Sequence, residues 1–258
     1  MHLKLEPIRA QTTALFKAIA LRQSTRGDYD GTPLSDKELA QLLRVGSSDR
    51  VRLLLITERS AMEQVLDNVI QGNTAQLADA AFVKDMKAWI RFNAADTVRI
   101  RDGLYSVCSG NPNIPTWVGD LAFALSSPRR ARTTSMRGKC AARRAMQYSS
   151  ATLPTRRAGW IWGRCYERFA LQATARCVRK ALLNQPVEVA ALRSPFGVAL
   201  GVAGQRPGLA ARFGRGPLLP RSLRRPVESA GVRRTSMGAS KGCVTSYRKA
   251  EPLSCNCV

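Results

Sequence analysis

Apolar residues recur at helical spacing in five stretches of this chain and cluster in two shorter ones. Thr12 to Leu21 sets Leu15, Phe16 and Ile19 on one face and predicts a first helix. Ser35 and Glu38 have the spacing of a capping box, with Leu39, Leu42 and Leu43 turned to the core and Gly46 as the stop. Ser60 and Glu63 repeat that spacing ahead of Met62, Val65, Leu66, Val69 and Ile70, which predicts a third helix ending at Gly72. Asp79 is the expected cap of a fourth, running through Phe82, Met86, Trp89 and Ile90. The longest periodic stretch is 163–189, where Tyr166, Phe169, Ala170, Ala173, Cys177, Val178, Ala181 and Leu182 predict one core helix of about five turns. Asn184 reads as its C-terminal cap, and Pro186 turns the chain away in a polar loop. Val51 to Thr57 and Leu209 to Phe213 are the strand candidates.

Between these elements the text is of other kinds. Asp102 to Asp120 is rich in Gly, Pro and Asn and predicts an ordered loop. Residues 126–162 carry nine basic and no acidic side chains and show no period longer than a turn, as a solvated or disordered segment would. A second reading of 126–162 is a compensated frameshift, since free back-translation one base out of register restores mixed charge and a strand-like run. The end of the chain, 233–258, has no period and reads as a disordered tail. The expected organisation is therefore 1–125 and 163–232 as two parts of one domain, separated by the Arg-rich segment.

Charge narrows the partners. The net charge is +23, yet residues 1–125 hold 15 basic and 14 acidic groups, so the well-patterned half is almost neutral. The basic stretches lack interleaved aromatics for stacking bases, which disfavours nucleic acid as the partner. Seven cysteines form no CxxC and no regular framework, and Cys165 and Cys177 read as small buried apolar residues. No apolar run approaches a bilayer span, and the first ten residues lack the apolar core of a signal peptide, so the chain reads as cytoplasmic as written, with a lost N-terminal export signal as the alternative.

Candidate chemistry is narrow. The single histidine is His2, which excludes Ser/His/Asp and Cys/His catalysis and histidine-ligated metals. Gly197, Gly201 and Gly204 lack the spacing and the preceding strand of a dinucleotide fingerprint. What the chain offers is arginine beside small polar residues: Arg22-Gln23-Ser24-Thr25-Arg26 after the first helix, and Arg215, Arg221, Arg224 and Arg225 around a Gly/Pro turn. Guanidinium forks grip phosphate at two points and a serine hydroxyl adds a donor, although surface arginines also serve in ordinary ion pairs.

The run LRQSTRGDYDGTPLSDKELAQLL resembles the opening of the flavin-dependent nitroreductase family. Taken with ERFALQATARCVRKALLNQPVEV and RFGRGPLLPRSLRRPVE, it is similar more narrowly to the second half of the two-repeat nitroreductase-like branch, over about 1–125 and 163–230. The resemblance implies an α+β fold, a sandwich of a central sheet flanked by helices, here incomplete. It implies FMN as cofactor, NAD(P)H as electron donor, a nitro or quinone-like small molecule as acceptor, and a homodimer. By position, Arg22, Gln23, Ser24 and Arg26 would meet the flavin phosphate and ribityl chain or ring edge, Arg224 and Arg225 the phosphate, and Asn184 and Gln185 the ring. No protein acid or base is required, because the flavin carries the redox chemistry. The flavin motif of the first repeat has no match, so a fragment of low activity is expected. A non-catalytic degraded family member and a basic nucleic-acid-binding protein are the alternatives.

Overall fold

Side-chain caps set the starts of four described helices, and pairing along the sheet decides where one of the two longest ends. The structure, a computed structural model, describes residue 9 and residues 11–125, 144–150 and 156–221. Helix α1 (Ala14–Leu21) begins where the Thr13 hydroxyl accepts from the Phe16 amide at 3.1 Å. It buries Ala18, whereas Phe16 and Ile19 of the expected apolar face are exposed. Helix α2 (Asp36–Gly46) has the complete capping box, Ser35 accepting from the Glu38 amide while the Glu38 carboxylate accepts from the Ser35 amide. Strand β1 (Arg52–Ile56) follows.

Helix α3 (Arg59–Ala78) corrects two expectations. Its N-terminal cap position is Glu58, without a side-chain hydrogen bond, and Ser60 lies inside the first turn; Gly72 is not a stop, because the helix runs six residues beyond it. Asp79 then caps α4 (Ala80–Ala88) as expected, accepting from Ala81 and Phe82. Ile90, expected in that helix, instead begins β2 (Ile90–Arg91), which precedes α5 (Ala94–Ile100); the stretch 102–120, expected as a loop, holds β3 (Leu104–Tyr105), parallel to β2, and the start of α6 (Thr116–Leu125).

Within the Arg-rich stretch, β4 (Arg144–Ser150) lies between β1 and β6 (Arg206–Gly214), antiparallel to both. Helix α7 (Arg156–Ala175) crosses from that stretch into the next. The expected single helix over 163–189 is two elements. Cys177 adopts a left-handed conformation at φ 56°, while the Val178 and Cys177 amides return to the Ala173 and Thr174 carbonyls at 2.8 and 3.1 Å, closing α7 in a Schellman turn. Strand β5 (Arg179–Leu182) then pairs antiparallel with β6. Val178, Ala181 and Leu182 therefore belong to no helical stripe, because the free edge of β6 satisfies their backbone better than another turn would. Cys165 is buried as expected and forms no disulfide, but Cys177 is only partly buried and is disulfide-bonded. The short helix α8 (Gln185–Glu188) and α9 (Arg193–Ala199) complete the described chain before β6.

The four-stranded sheet has the order β1-β4-β6-β5. One face is covered by α2 and α7 around Leu42, Leu53, Phe169, Ala173, Ala211 and Phe213, with the rings of Phe169 and Phe213 edge to face at 5.7 Å. The other face is covered by α3 and α9 around Val65, Val69, Leu183, Phe196 and Ala210. This is the expected α+β sandwich of a central sheet flanked by helices.

Candidate functional site

From Arg22 to Asp30 the side chains alternate between solvent and interior, which is the period of an extended chain. Arg22, Ser24 and Arg26 fall on the exposed face; Thr25, Gly27 and Tyr29 are buried and Gln23 is partly so. The spacing Arg-x-Ser-x-Arg thus delivers two guanidinium groups and a hydroxyl to one side of an extended segment. That segment lies beside β5, with the Thr25 amide donating to the Lys180 carbonyl at 2.8 Å.

Arg212 fixes it from below. Its guanidinium is buried, donates to the carbonyls of Arg26 and Gly27 at 2.6 and 2.9 Å, and sits 4.6 Å from the centre of the Tyr29 ring. The Tyr29 hydroxyl in turn donates to the Thr25 carbonyl.

The chain after β6 returns to the same place. The Asp30 amide donates to the Arg215 carbonyl, Gln23 Nε2 to the Leu219 carbonyl at 3.0 Å, and Arg221 Nη1 to the Ala20 carbonyl at 3.3 Å. Arg215 also pairs with Glu38. Burial pushes that carboxyl up, but the Ser35 amide and hydroxyl and the Arg215 charge together hold it below the usual carboxylate range. The segment that carries Arg215 and Arg221 therefore lies against the one that carries Arg22 and Arg26, both beside the paired strands β5 and β6. Arg224 and Arg225 lie outside the described residues.

Asn184 and Gln185 stand at the far end of β5. Four residues of extended chain separate Lys180 from Asn184, roughly 13 Å. Asn184 is not the end of the long helix: its side-chain oxygen accepts from the Ala210 amide at 2.9 Å, and its carbonyl begins α8. Gln185 packs its backbone against Gly72 of α3, where even a β-carbon would not fit.

Two residues of this region were not legible in the periodicity. Glu167 on α7 pairs with Arg22 at 2.9 Å. Lys180 is 1% exposed, its ammonium makes no hydrogen bond, and it sits 5.5 Å from the Tyr166 ring centre. Burial, and next the nearby Arg22 charge, pull its pKa down to about 8, with Glu167 opposing. Burial likewise pushes the Tyr166 phenol up to about 12. Read as helix, 179–182 gave Lys180 no inward direction; read as a strand, it faces the same side as Phe213.

A separate cavity of about 410 Å3 lies in the lobe of α4, β2, α5 and α6, lined by Lys84, Lys87, Arg91, Asp96, Arg99 and Asp120 among others. Its charges are largely satisfied internally, through Lys87 with Asp120, Arg91 with Asp102 and Arg99 with Asp96. Hydrogen bonds from Thr116, Arg99 and Asn93 hold the Asp96 carboxyl down at about 2. None of the six described residues among those expected from the sequence lines this cavity.

No protein-family model matches the chain, and no curated protein is similar to it in sequence. Solved structures are similar in fold. The FMN-dependent nitroreductase NfnB from Mycobacterium smegmatis, in complex with NADPH, superposes with a TM-score of 0.55 at 13% identity, over 88% of this chain and 98% of that one. The chain has the nitroreductase fold. A nitroreductase with bound FMN from Desulfitobacterium hafniense shares that fold at TM-score 0.53 and 13% identity, over 85% and 97% of the two chains. So does a nitroreductase-like family protein from Bacillus cereus, at 0.51 and 12%, over 91% and 100%. Among the described residues no group of histidine, cysteine or carboxylate side chains could hold a metal ion.

Proposed function

We propose that this chain binds FMN along the edge formed by residues 22–26 and β5, and acts as a nitroreductase-type oxidoreductase that passes hydride from NAD(P)H by way of the flavin to a nitro or quinone-like acceptor. The observation that carries the reading is the nitroreductase fold with Arg22, Ser24 and Arg26 facing outward together on an extended segment pinned to β5. The residues fit a phosphate-bearing, elongated, hydrogen-bonding ligand. Gln23 Oε1, Thr25 Oγ1 and Lys180 Nζ at one end of β5, and Gln185 Oε1 at the other, are buried polar atoms without a hydrogen-bond partner, a state native proteins avoid unless a ligand or water completes it.

When bound, FMN supplies the two-electron chemistry that accepts and returns hydride. Arg22 and Arg26 hold its phosphate with Ser24 as an additional donor, and Arg224 and Arg225 contribute from the continuation of the 215–221 segment. Arg212 keeps the 22–27 backbone in its extended course, so that the three outward groups stay in register. Asn184 and Gln185 orient the ring end, Asn184 being itself held by the Ala210 amide. Exposed Phe16 and Ile19, one turn apart on α1, suit a homodimer contact. No described helix is long and apolar enough to cross a membrane, and on this reading the protein works in the cytoplasm.

The test is direct. Purified protein incubated with FMN and desalted is expected to retain a yellow, flavin-absorbing species that NADH or NADPH bleaches in the absence of oxygen and that a nitroaromatic or quinone restores. A folded sample that retains no flavin overturns the proposal; one that retains flavin but is not bleached by either nucleotide reduces it to a flavin-binding protein without this activity.

A further inference from the structure

Lys180 is the most deeply buried cation of the described chain, and its ammonium makes no hydrogen bond. It projects from an edge strand towards α7, beneath Tyr166, close enough to Arg22 and Glu167 for both charges to act on it. A lysine ammonium removed from water without an acceptor is expensive, and proteins retain one where an anion completes it. The anion at hand is partial: the Glu167 carboxylate is engaged by Arg22 at 2.9 Å, and it leaves the Lys180 ammonium without a hydrogen bond. Two cations are thus served by one carboxylate, one negative charge too few.

We propose that Lys180 is the buried floor of an anion subsite roofed by Arg22, that its ligand is a phosphomonoester dianion, and that Glu167 is the counter-ion this dianion displaces. Three features select that class. The cations Lys180 and Arg22 call for two negative charges, and Arg26 falls on the same exposed face of its segment as Arg22. A dianionic phosphate offers three acceptor oxygens, enough to serve a buried ammonium and a guanidinium fork at the same time. The amide of Thr25, the residue after Ser24, also donates to the Lys180 carbonyl, which ties the 22–26 segment to the strand that carries Lys180. No proton or bond is transferred: Glu167 is released to solvent as a carboxylate, half of its side chain being exposed already.

The inference rests on the proposed FMN binding for the identity of the phosphate and stands apart from it for the role of Lys180. FMN and riboflavin, which differ by the phosphate alone, are titrated by flavin fluorescence into the full chain and into Lys180→Met and Glu167→Gln. The lysine side chains are followed by NMR in parallel, with Lys180 assigned from the variant's missing signal, while orthophosphate alone is added. Lys180→Met is expected to weaken FMN about tenfold or more and leave riboflavin unchanged, whereas Glu167→Gln tightens FMN several-fold. Orthophosphate is expected to shift the Lys180 signal and to compete with FMN.

If the full chain binds both flavins equally, or if Lys180→Met weakens both equally or neither, the subsite is overturned while flavin binding stands. If it binds neither flavin, the proposed function fails and orthophosphate decides the subsite: movement of the Lys180 signal supports it as a free-phosphate site, and a signal that does not move overturns it. The NMR arm uses the unaltered chain, so it reads Lys180 even where the variant fails to fold.

Discussion

Gly72 of α3 lies so close to Gln185 that a β-carbon on it would come within 2.6 Å of the Gln185 carbonyl carbon and 2.9 Å of its oxygen. The obstacle is backbone at the start of α8, so it cannot rotate aside as a flexible side chain would. Gly72→Ala is therefore expected to destabilise the fold by about 1–3 kcal/mol, the usual cost of overpacking. It should also displace Gln185 and so, on the proposed function, weaken FMN binding. Thermal unfolding and FMN titration of the variant check both effects; an unchanged Tm with unchanged affinity would show that α3 and α8 do not pack as described.

Arg212 is the pin of the site's extended segment. Arg212→Met keeps most of the side chain's bulk but leaves the Arg26 and Gly27 carbonyls without their donor and removes the charge over Tyr29. Stranding two buried acceptors costs about 2–4 kcal/mol. The 22–27 backbone should then exchange its amide hydrogens faster, Thr25 foremost, since its amide is the tie to Lys180. Hydrogen exchange resolved to this segment measures that outcome, and protection equal to wild type at Thr25 would contradict it.

These two contacts explain which parts of the molecule were legible beforehand. Helix starts were readable where one side chain caps one amide, as at Ser35 and Asp79, because the signal is local. At Ser60 the same letters were misleading, since the preceding Glu58 takes the cap position. Gly72 looked like a stop because its actual constraint, the backbone of Gln185, lies far away in sequence. The 163–189 stretch failed for the same reason: its apolar spacing continues past Ala175, but β6 offers an unpaired edge from Arg179 onward and helical periodicity carries no record of that edge. The cluster of Arg22, Ser24 and Arg26 was legible by residue type, and the structure places the three on one exposed face. Glu167 and Lys180 were not, since only the crossing of α7 over β5 brings them to Arg22.

A strained cap gives a stabilising prediction. Arg101 closes α5 with φ 58° and ψ 24°, a left-handed conformation that glycine adopts without steric cost. Its side chain makes only a long hydrogen bond, 3.4 Å, to the Val98 carbonyl. Arg101→Gly should stabilise the protein by up to about 1 kcal/mol, relief of the left-handed strain exceeding the entropy that glycine adds to the unfolded chain. A modest rise in Tm is the expected reading, and a fall would mean that the arginine side chain stabilises the cap more than its conformation costs.

Lys180 makes the stability of the ligand-free protein depend on pH in an unusual direction. Its pKa is 10.5 in an ordinary setting and about 8 in the fold, lowered first by burial and then by Arg22. Between those values the unfolded chain binds the proton that the folded chain has lost, so stability rises with pH across the window. Below pH 8 both states are protonated and the whole penalty stands, about 3 kcal/mol from the difference in pKa. Tyr166 acts in the opposite sense, but only above pH 10, where the unfolded phenol ionises while the folded one, raised to about 12, does not. The clean interval is therefore pH 8 to 9.5, and the clean comparison is with Lys180→Met, which lacks the titrating group and keeps the apolar stem. Urea unfolding at pH 7 should find the variant more stable by up to about 3 kcal/mol, and at pH 9.5 less than half of that difference should remain. A gap that stays constant between the two pH values would mean that Lys180 keeps an ordinary pKa and has an acceptor or solvent path in the folded chain.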